Sequence, residues 1–179
     1  VNAQRARITD CVERVPGIHF NELVRELDLA PGQVQYHTKK LSRDGRIDRD
    51  PLYGRTHYYP PGCDEWERGA LALCRRETAR DVLTYLLDAG PAEPARVARA
   101  LDIARSTLEW HLDRLVERDL VRKKRDTEGR VTLVLAKPAE TAQVLGTVTP
   151  SVPERMTDRF TRLVDRLLDE DPIDGRTDG

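Results

Sequence analysis

The sequence predicts a mainly α fold with small β-hairpins, an α+β arrangement built from two copies of one module and closed by a C-terminal helix. Three observations predict it. First, LDLAPGQVQYHTKKLSRDGRIDRD at 27–50 matches LDIARSTLEWHLDRLVERDLVRKKRD from 101 onward at a constant offset of 74 residues, which is the self-similarity of a repeated structural unit. Second, apolar residues in each copy recur at helical spacing in three successive stretches and then alternate as in paired strands. Third, Pro, Gly, Asn and Asp punctuate the joints between those stretches.

The first copy justifies its elements in order. Ile8, Val12 and Val15 share a helical face, and Pro16-Gly17 ends that helix. Ile18 and Phe20 cross in extended chain. Asn21 is the expected N-cap of a second helix lined by Leu23, Val24 and Leu27. A third helix opens with Pro31 at its first position, turns Val34, His37, Thr38 and Leu41 inward, and closes at Asp44-Gly45. Strands follow at 47–49 and 57–59, with Pro51 to Thr56 as the expected hairpin loop. Three helices and a β-hairpin make a winged helix-turn-helix.

The second copy repeats the order, with helices near 76–89, 94–101 and 105–118, strands near 120–124 and 130–135, and a tip at Asp126-Thr127-Glu128-Gly129. The domains are therefore expected at 1–62 and 76–137, joined by a linker helix at 63–75 that carries Trp66, Ala70, Leu73 and Cys74 on one face. Residues 138–179 form a C-terminal helical segment, with a short helix over 138–145, and a polar tail. There Met156, Phe160, Leu163, Val164 and Leu167 make an apolar stripe at helical spacing. This stripe is the expected dimer interface.

Composition narrows the classes further. Of 179 residues, 39% are hydrophobic and 34% charged, too polar for membrane spans and too apolar for wholesale disorder. Aromatics are only 5%, so the cores must rest on Leu, Val, Ile and Ala. No apolar run approaches a span or a signal-peptide core, and the expected location is cytoplasmic, without membrane contact. The three cysteines, Cys11, Cys63 and Cys74, form no C-x-x-C pair, so neither a disulfide framework nor a zinc site is expected. Cys63, beside the Pro-Gly linker, is the expected exposed thiol. No phosphate-binding Gly loop, G-x-S-x-G or H-E-x-x-H occurs, and neither an enzyme nor a bound cofactor is expected.

Formal charge is −1 overall but unevenly spread: +2 over 1–62, +1 over 63–137 and −4 over 138–179. Distribution therefore carries what total charge does not. With Val34 at the centre of the buried arc, steps of about 100° send Gly32, Tyr36, Lys39 and Arg43 to the opposite side, flanked by Gln33, Gln35 and Lys40. Glutamine amides match adenine edges, and cationic side chains match guanine or phosphate. In the second copy the same positions hold Ser106, Trp110, Asp113 and Glu117, with Glu109 beside them. Acidic groups replacing Lys39 and Arg43 repel phosphates, so this helix is expected not to read bases. Its flank and hairpin keep Arg105, Arg114, Lys123, Lys124, Arg125 and Arg130 as backbone-contacting candidates, and Arg55 sits near the tip of the first hairpin. Tyr53 and Tyr58 are expected against sugar and phosphate. His37 and His111, at the edge of the buried arc, suit local hydrogen bonds better than metal binding. Trp110 is an exposed indole among acids, which marks a contact surface; it is expected at an interface with the linker helix, the C-terminal helix or a partner chain.

On these residues the chain resembles a family. PGIHFNELVRELDLAPGQVQYHTKKLSRDGRIDRD, with Val34-x-Tyr36-His37-x-x-x-Leu41 as its recognition helix, is similar to the ArsR-like winged helix-turn-helix regulators of archaea, and ARSTLEWHLDRLVERDLV repeats the likeness. The resemblance covers about residues 4 to 137 and is to haloarchaeal-type tandem regulators. It implies a cytoplasmic, DNA-binding transcription regulator, a homodimer on double-stranded DNA, with contact to the transcription machinery. Metal-sensing relatives carry Cys or His clusters that this sequence lacks, so metal sensing is not implied. The alternative left open by Trp110 and the acidic C-terminal segment is a winged-helix adaptor that binds another protein.

Overall fold

The computed structural model describes residues 2–148. Among these it places eight helices and five short strands in the order α1 (Ala3–Arg14), β1 (Ile18–His19), α2 (Phe20–Leu27), α3 (Pro31–Arg43), β2 (Asp48–Leu52), β3 (Arg55–Tyr59), α4 (Glu65–Cys74), α5 (Glu77–Ala89), α6 (Pro94–Ala100), α7 (Arg105–Glu117), β4 (Val121–Arg125), β5 (Val131–Leu135) and α8 (Pro138–Val148). The fold is mainly α with two small antiparallel hairpins. The apolar stripe at 156–167 lies outside the described residues.

The offset of 74 is visible in three dimensions. α3 and α7 start and stop at equivalent positions, each following an alanine N-cap without a side-chain cap. Asp28 and Asp102, both at positive φ, end the preceding helix in each copy. Gly45 and Asp119 hold the next left-handed position. Short polar side chains tolerate that conformation better than other non-glycine residues, which lets Asp stand where the first copy has glycine.

Copies diverge in their hairpins. β3 lies between β1 and β2 in a three-stranded sheet, whereas the second copy has β4–β5 alone, its third strand reduced to a bridge between Ala92 and Leu133. In the first wing Leu52 pairs with Arg55, leaving a turn of only Tyr53 and Gly54. Both have positive φ, the signature of a two-residue turn whose twist matches the strands. The expected loop over Pro51–Thr56 is thus mostly strand. The second wing keeps five residues between Arg125 and Val131.

Other expectations need correction. His19, not Asn21, caps α2, its ring accepting from the Glu22 amide. Phe20 is consequently helical. α4 was expected to bury one face, yet Gly69 to Cys74 are all buried. It runs between the two halves instead of along an edge. α8 reaches Val148, three residues beyond the short helix expected.

Two cores result. One gathers Ile8, Val12, Ile18, Leu23, Val34, Leu41, Ile47 and Tyr58. The larger joins α4, α5, α6, α7 and α8 and also takes in Leu52 and Tyr59 from the first wing. Gly17, at φ +85°, lets the first half approach α4 closely, since a Cβ there would lie 3.1 Å from that of Leu71. Across the same seam Tyr59 donates to the Arg68 carbonyl at 3.0 Å, Arg68 pairs with Asp48 at 2.9 Å, and Arg75 pairs with Glu22. Modules this small bury a modest share of their surface alone, and sharing a wing with the larger core raises that share. Among the described residues no helix is long and apolar enough to cross a membrane.

Candidate nucleic-acid interface

α3 is held from behind. His37 is only 6% exposed and its Nε2 meets the Gln4 side-chain oxygen of α1 at 2.7 Å. The Thr38 hydroxyl donates back to the Val34 carbonyl at 2.8 Å. Val34 and Leu41 are buried in the first core. These contacts fix the rotation of the helix about its axis, which decides what faces out. Gln4 carries no signal of its own in the sequence.

Facing out are Gly32, Gln33, Gln35, Tyr36, Lys39 and Arg43, all exposed, with Lys40 half-buried on the flank. Tyr36 is 60% exposed and meets His37 edge to face. Gln33 is partly committed, because its side-chain oxygen accepts from the Ala30 amide at 3.3 Å and so caps α3. Arg43 lies 3.8 Å from Asp44, an exposed pair that costs little to open. Lys39 and Lys40 have no carboxylate partner among the described residues. A helix with a polar, cationic outer stripe, its first turn cleared by Gly32, has the dimensions and donors a major groove accepts.

α7 presents a different face. Ser106, Trp110, Asp113, Val116 and Glu117 are exposed at the register-equivalent surface. Glu109 binds Lys123 at 2.8 Å and Arg105 at 3.1 Å, and these two cations hold its carboxyl below the usual range. Arg130 pairs with Asp126 and Glu128, each at 2.9 Å. Of the cations expected to grip a backbone, Arg105, Lys123 and Arg130 are thus locally neutralised, and Lys124 and Arg125 are exposed on β4.

Several expected roles change here. Tyr58 is 3% exposed and belongs to the first core, so it does not lie on a surface. Tyr53 is half-buried and its hydroxyl donates to Glu117 of α7. Arg114, expected on a free flank, stacks 3.3 Å over the Trp110 ring, donates to the Trp110 carbonyl at 2.9 Å and lies 4.7 Å from the Tyr53 ring. Trp110, 46% exposed, contacts Arg114 and His111. Trp66 ties the linker helix to the end of α7, its indole donating to the Asp119 carbonyl at 2.9 Å. Arg55 is exposed immediately after the wing turn, as expected of a tip residue.

The cysteines and histidines are buried or half-buried. Burial pushes the Cys74 thiol up to about 12 and raises Cys11. Cys63 was expected to be exposed, yet it is half-buried and its thiol is also raised by burial, which opposes thiolate chemistry. His57 is buried, and its Nδ1 meets the Gly17 carbonyl at 2.7 Å. No group of three or more metal-ligating side chains occurs among the described residues.

Two family models match the two halves of the chain. Residues 2–71 match a family model described as an N-terminal HTH domain, and residues 76–124 match a helix-turn-helix domain model. An uncharacterized HTH-type transcriptional regulator of Methanocaldococcus jannaschii is 26% identical over 126 residues, covering 70% of this chain and 32% of that protein. The chain therefore matches about a third of the length of that relative. Among solved structures, overoxidized AbfR bound to DNA is 18% identical with a TM-score of 0.41, covering 77% of this chain and 92% of that one. The YusO protein from Bacillus subtilis is 14% identical with a TM-score of 0.39, covering 78% and 95%. With a helix-turn-helix match over each half and a β-hairpin after each third helix, the chain has the fold of a tandem winged helix-turn-helix protein and is similar to an archaeal HTH-type transcriptional regulator.

Proposed function

We propose that the chain is a sequence-specific, DNA-binding transcription regulator in which α3 enters the major groove. The observation that carries this reading is the outer face of α3: Gln35, Tyr36, Lys39 and Arg43 are exposed together while His37, Thr38 and Leu41 lock the opposite face. Lys39, Lys40 and Arg43 attract phosphate, and Gln35, with the free amide of Gln33, offers base-edge donors and acceptors. Arg55 on the first wing and Lys124 and Arg125 on the second add backbone contacts. Arg105, Lys123 and Arg130 contribute once their carboxylate partners yield. α7 supports more than it reads, because Asp113 and Glu117 stand where α3 has Lys39 and Arg43. In this reading the domains are 1–62 and 76–137, with the 63–75 linker helix between them and a C-terminal segment over 138–179. The chain acts as a homodimer through Met156, Phe160, Leu163, Val164 and Leu167, which spaces two half-sites on the duplex.

The test begins with duplexes selected by the wild-type chain from a random-sequence pool. Titrated with those duplexes, a Lys39→Ala, Arg43→Ala double variant should bind on the order of 100-fold more weakly, about tenfold per lost cation contact. Equal affinity for both proteins removes α3 from the interface.

A further inference from the structure

Six arginines among the described residues face carboxylates: Arg14 with Asp10, Arg68 with Asp48, Arg75 with Glu22, Arg105 with Glu109, Arg122 with Asp119, and Arg130 with Asp126. Another cluster gathers around a ring. At the tip of the first wing, Arg76 and Arg114 stand 5.6 Å and 4.7 Å from the centroid of the Tyr53 ring, and Arg118 stands 6.0 Å away. These cations come from separate elements, Arg76 capping α5 and Arg114 on α7, with Arg118 just after it. Arg55, two residues past Tyr53 on β3, is exposed beside the same turn. The carboxylate at this place, Glu117, accepts the Tyr53 hydroxyl.

Like charges are brought together here with Glu117 as the carboxylate beside them. Arg76 shows it: burial and then the charges of Arg55 and Arg114 push its pKa down. Arg55 and Arg76 have no hydrogen-bond or carboxylate partner among the described residues. Arg114 is held in place by the Trp110 ring and carbonyl, while its Nε is buried without a partner. Guanidiniums stacked on rings keep their planar forks preorganised, and such forks match phosphate oxygens in pairs. The wing is also fixed against α7 by a residue under backbone constraint, since Tyr53 sits at φ +47°. A bulky side chain is held in that conformation only when its surroundings determine it.

We propose that Arg55, Arg76 and Arg114, at the junction between the first wing and α7, form a binding site for a phosphate group. The same chemistry fits a duplex backbone phosphodiester or a small free phosphate. The first source rests on the DNA-binding reading above and the second does not.

Two measurements on the full chain separate these cases, using wild type, Arg55→Gln and Arg76→Gln. The first is thermal stability in inorganic phosphate against chloride at matched ionic strength. The second is the salt dependence of binding to the selected duplexes. If the site takes free phosphate, phosphate raises the melting temperature of wild type and both variants lose that rise. If it takes a backbone phosphate, each variant lowers the slope of log affinity against log salt by about one without changing base preference. Circular dichroism confirms folding, and Arg55→Gln, at an exposed position, provides the arm least able to disturb the core. Variants matching wild type in both measurements overturn the proposal. Wild-type protein that binds no duplex defeats the DNA reading alone, and the phosphate measurement then decides the site by itself.

Discussion

α3 and α7 share a length, a starting register and a buried arc, yet their outer faces carry opposite chemistry. Val34, Thr38 and Leu41 are buried on one, and Leu108, Leu112 and Leu115 on the other. Outside, Gln35, Lys39 and Arg43 stand against Glu109, Asp113 and Glu117. The difference teaches that duplication preserves what packing constrains and releases what solvent faces. The inner arc must fill a core at close-packed density, whereas an exposed side chain off the binding surface changes stability little. The wings differ for a related reason. The first closes in a two-residue turn whose Tyr53 reaches Glu117 of α7, while the second closes in an exposed five-residue tip.

Shared inner arcs predict matching stability effects. Leu41→Ala and Leu115→Ala should each destabilise by about 2–5 kcal/mol, read by denaturant unfolding. A large loss at one site with none at the other breaks the structural equivalence of the copies. The seam should be sensitive where backbone meets backbone. Gly17→Ala should cost about 1–3 kcal/mol, because the residue sits at positive φ against Leu71. Gly69→Ala should cost less, since a Cβ there meets only the flexible Arg118 side chain at 3.3 Å. Equal costs contradict the close approach at Gly17.

Acid should probe the seam more gently. Burial, and then the charges of Arg76, Arg75 and Arg55, lower the pKa of His57 below its ordinary 6.5, although its bond to the Gly17 carbonyl opposes the shift. The unfolded chain then binds the proton more readily than the folded one, so stability rises with pH across that interval. Its loss begins as pH falls through about 6.5 and is complete below the lowered folded value. The urea midpoint should fall between pH 7.5 and 5.5, and less so in His57→Gln. An identical decline in both proteins removes His57 from the effect.

Much of this was legible in the sequence because helical periodicity and an ungapped repeat are strong, local signals. The inward set on α3 follows from spacing alone. The first wing was harder to read: a turn centred on Tyr53 shows no Asn-Gly or Asp-Gly signal, and its φ of +47° is imposed by partners 64 residues away at Glu117. Arg114 illustrates the same limit. Spacing places it on the flank of α7, but its stacking on Trp110 and nearness to Tyr53 depend on how the halves dock. A Pro-Gly linker ordinarily runs over the surface, which predicts an exposed Cys63, whereas this linker passes beside the larger core. Pairing of Glu109 with Lys123 joins residues on different elements that no helical count connects.

The difference between the two helices is tested most directly by repeating the sequence selection with Gln35→Ala and with Glu109→Ala, which alter equivalent positions of the copies. The account predicts that Gln35→Ala relaxes base preference at one or two positions of the selected site, while Glu109→Ala, which frees Lys123 and Arg105, leaves the preferred sequence unchanged. A preferred sequence that shifts with Glu109→Ala and stays fixed with Gln35→Ala would contradict it.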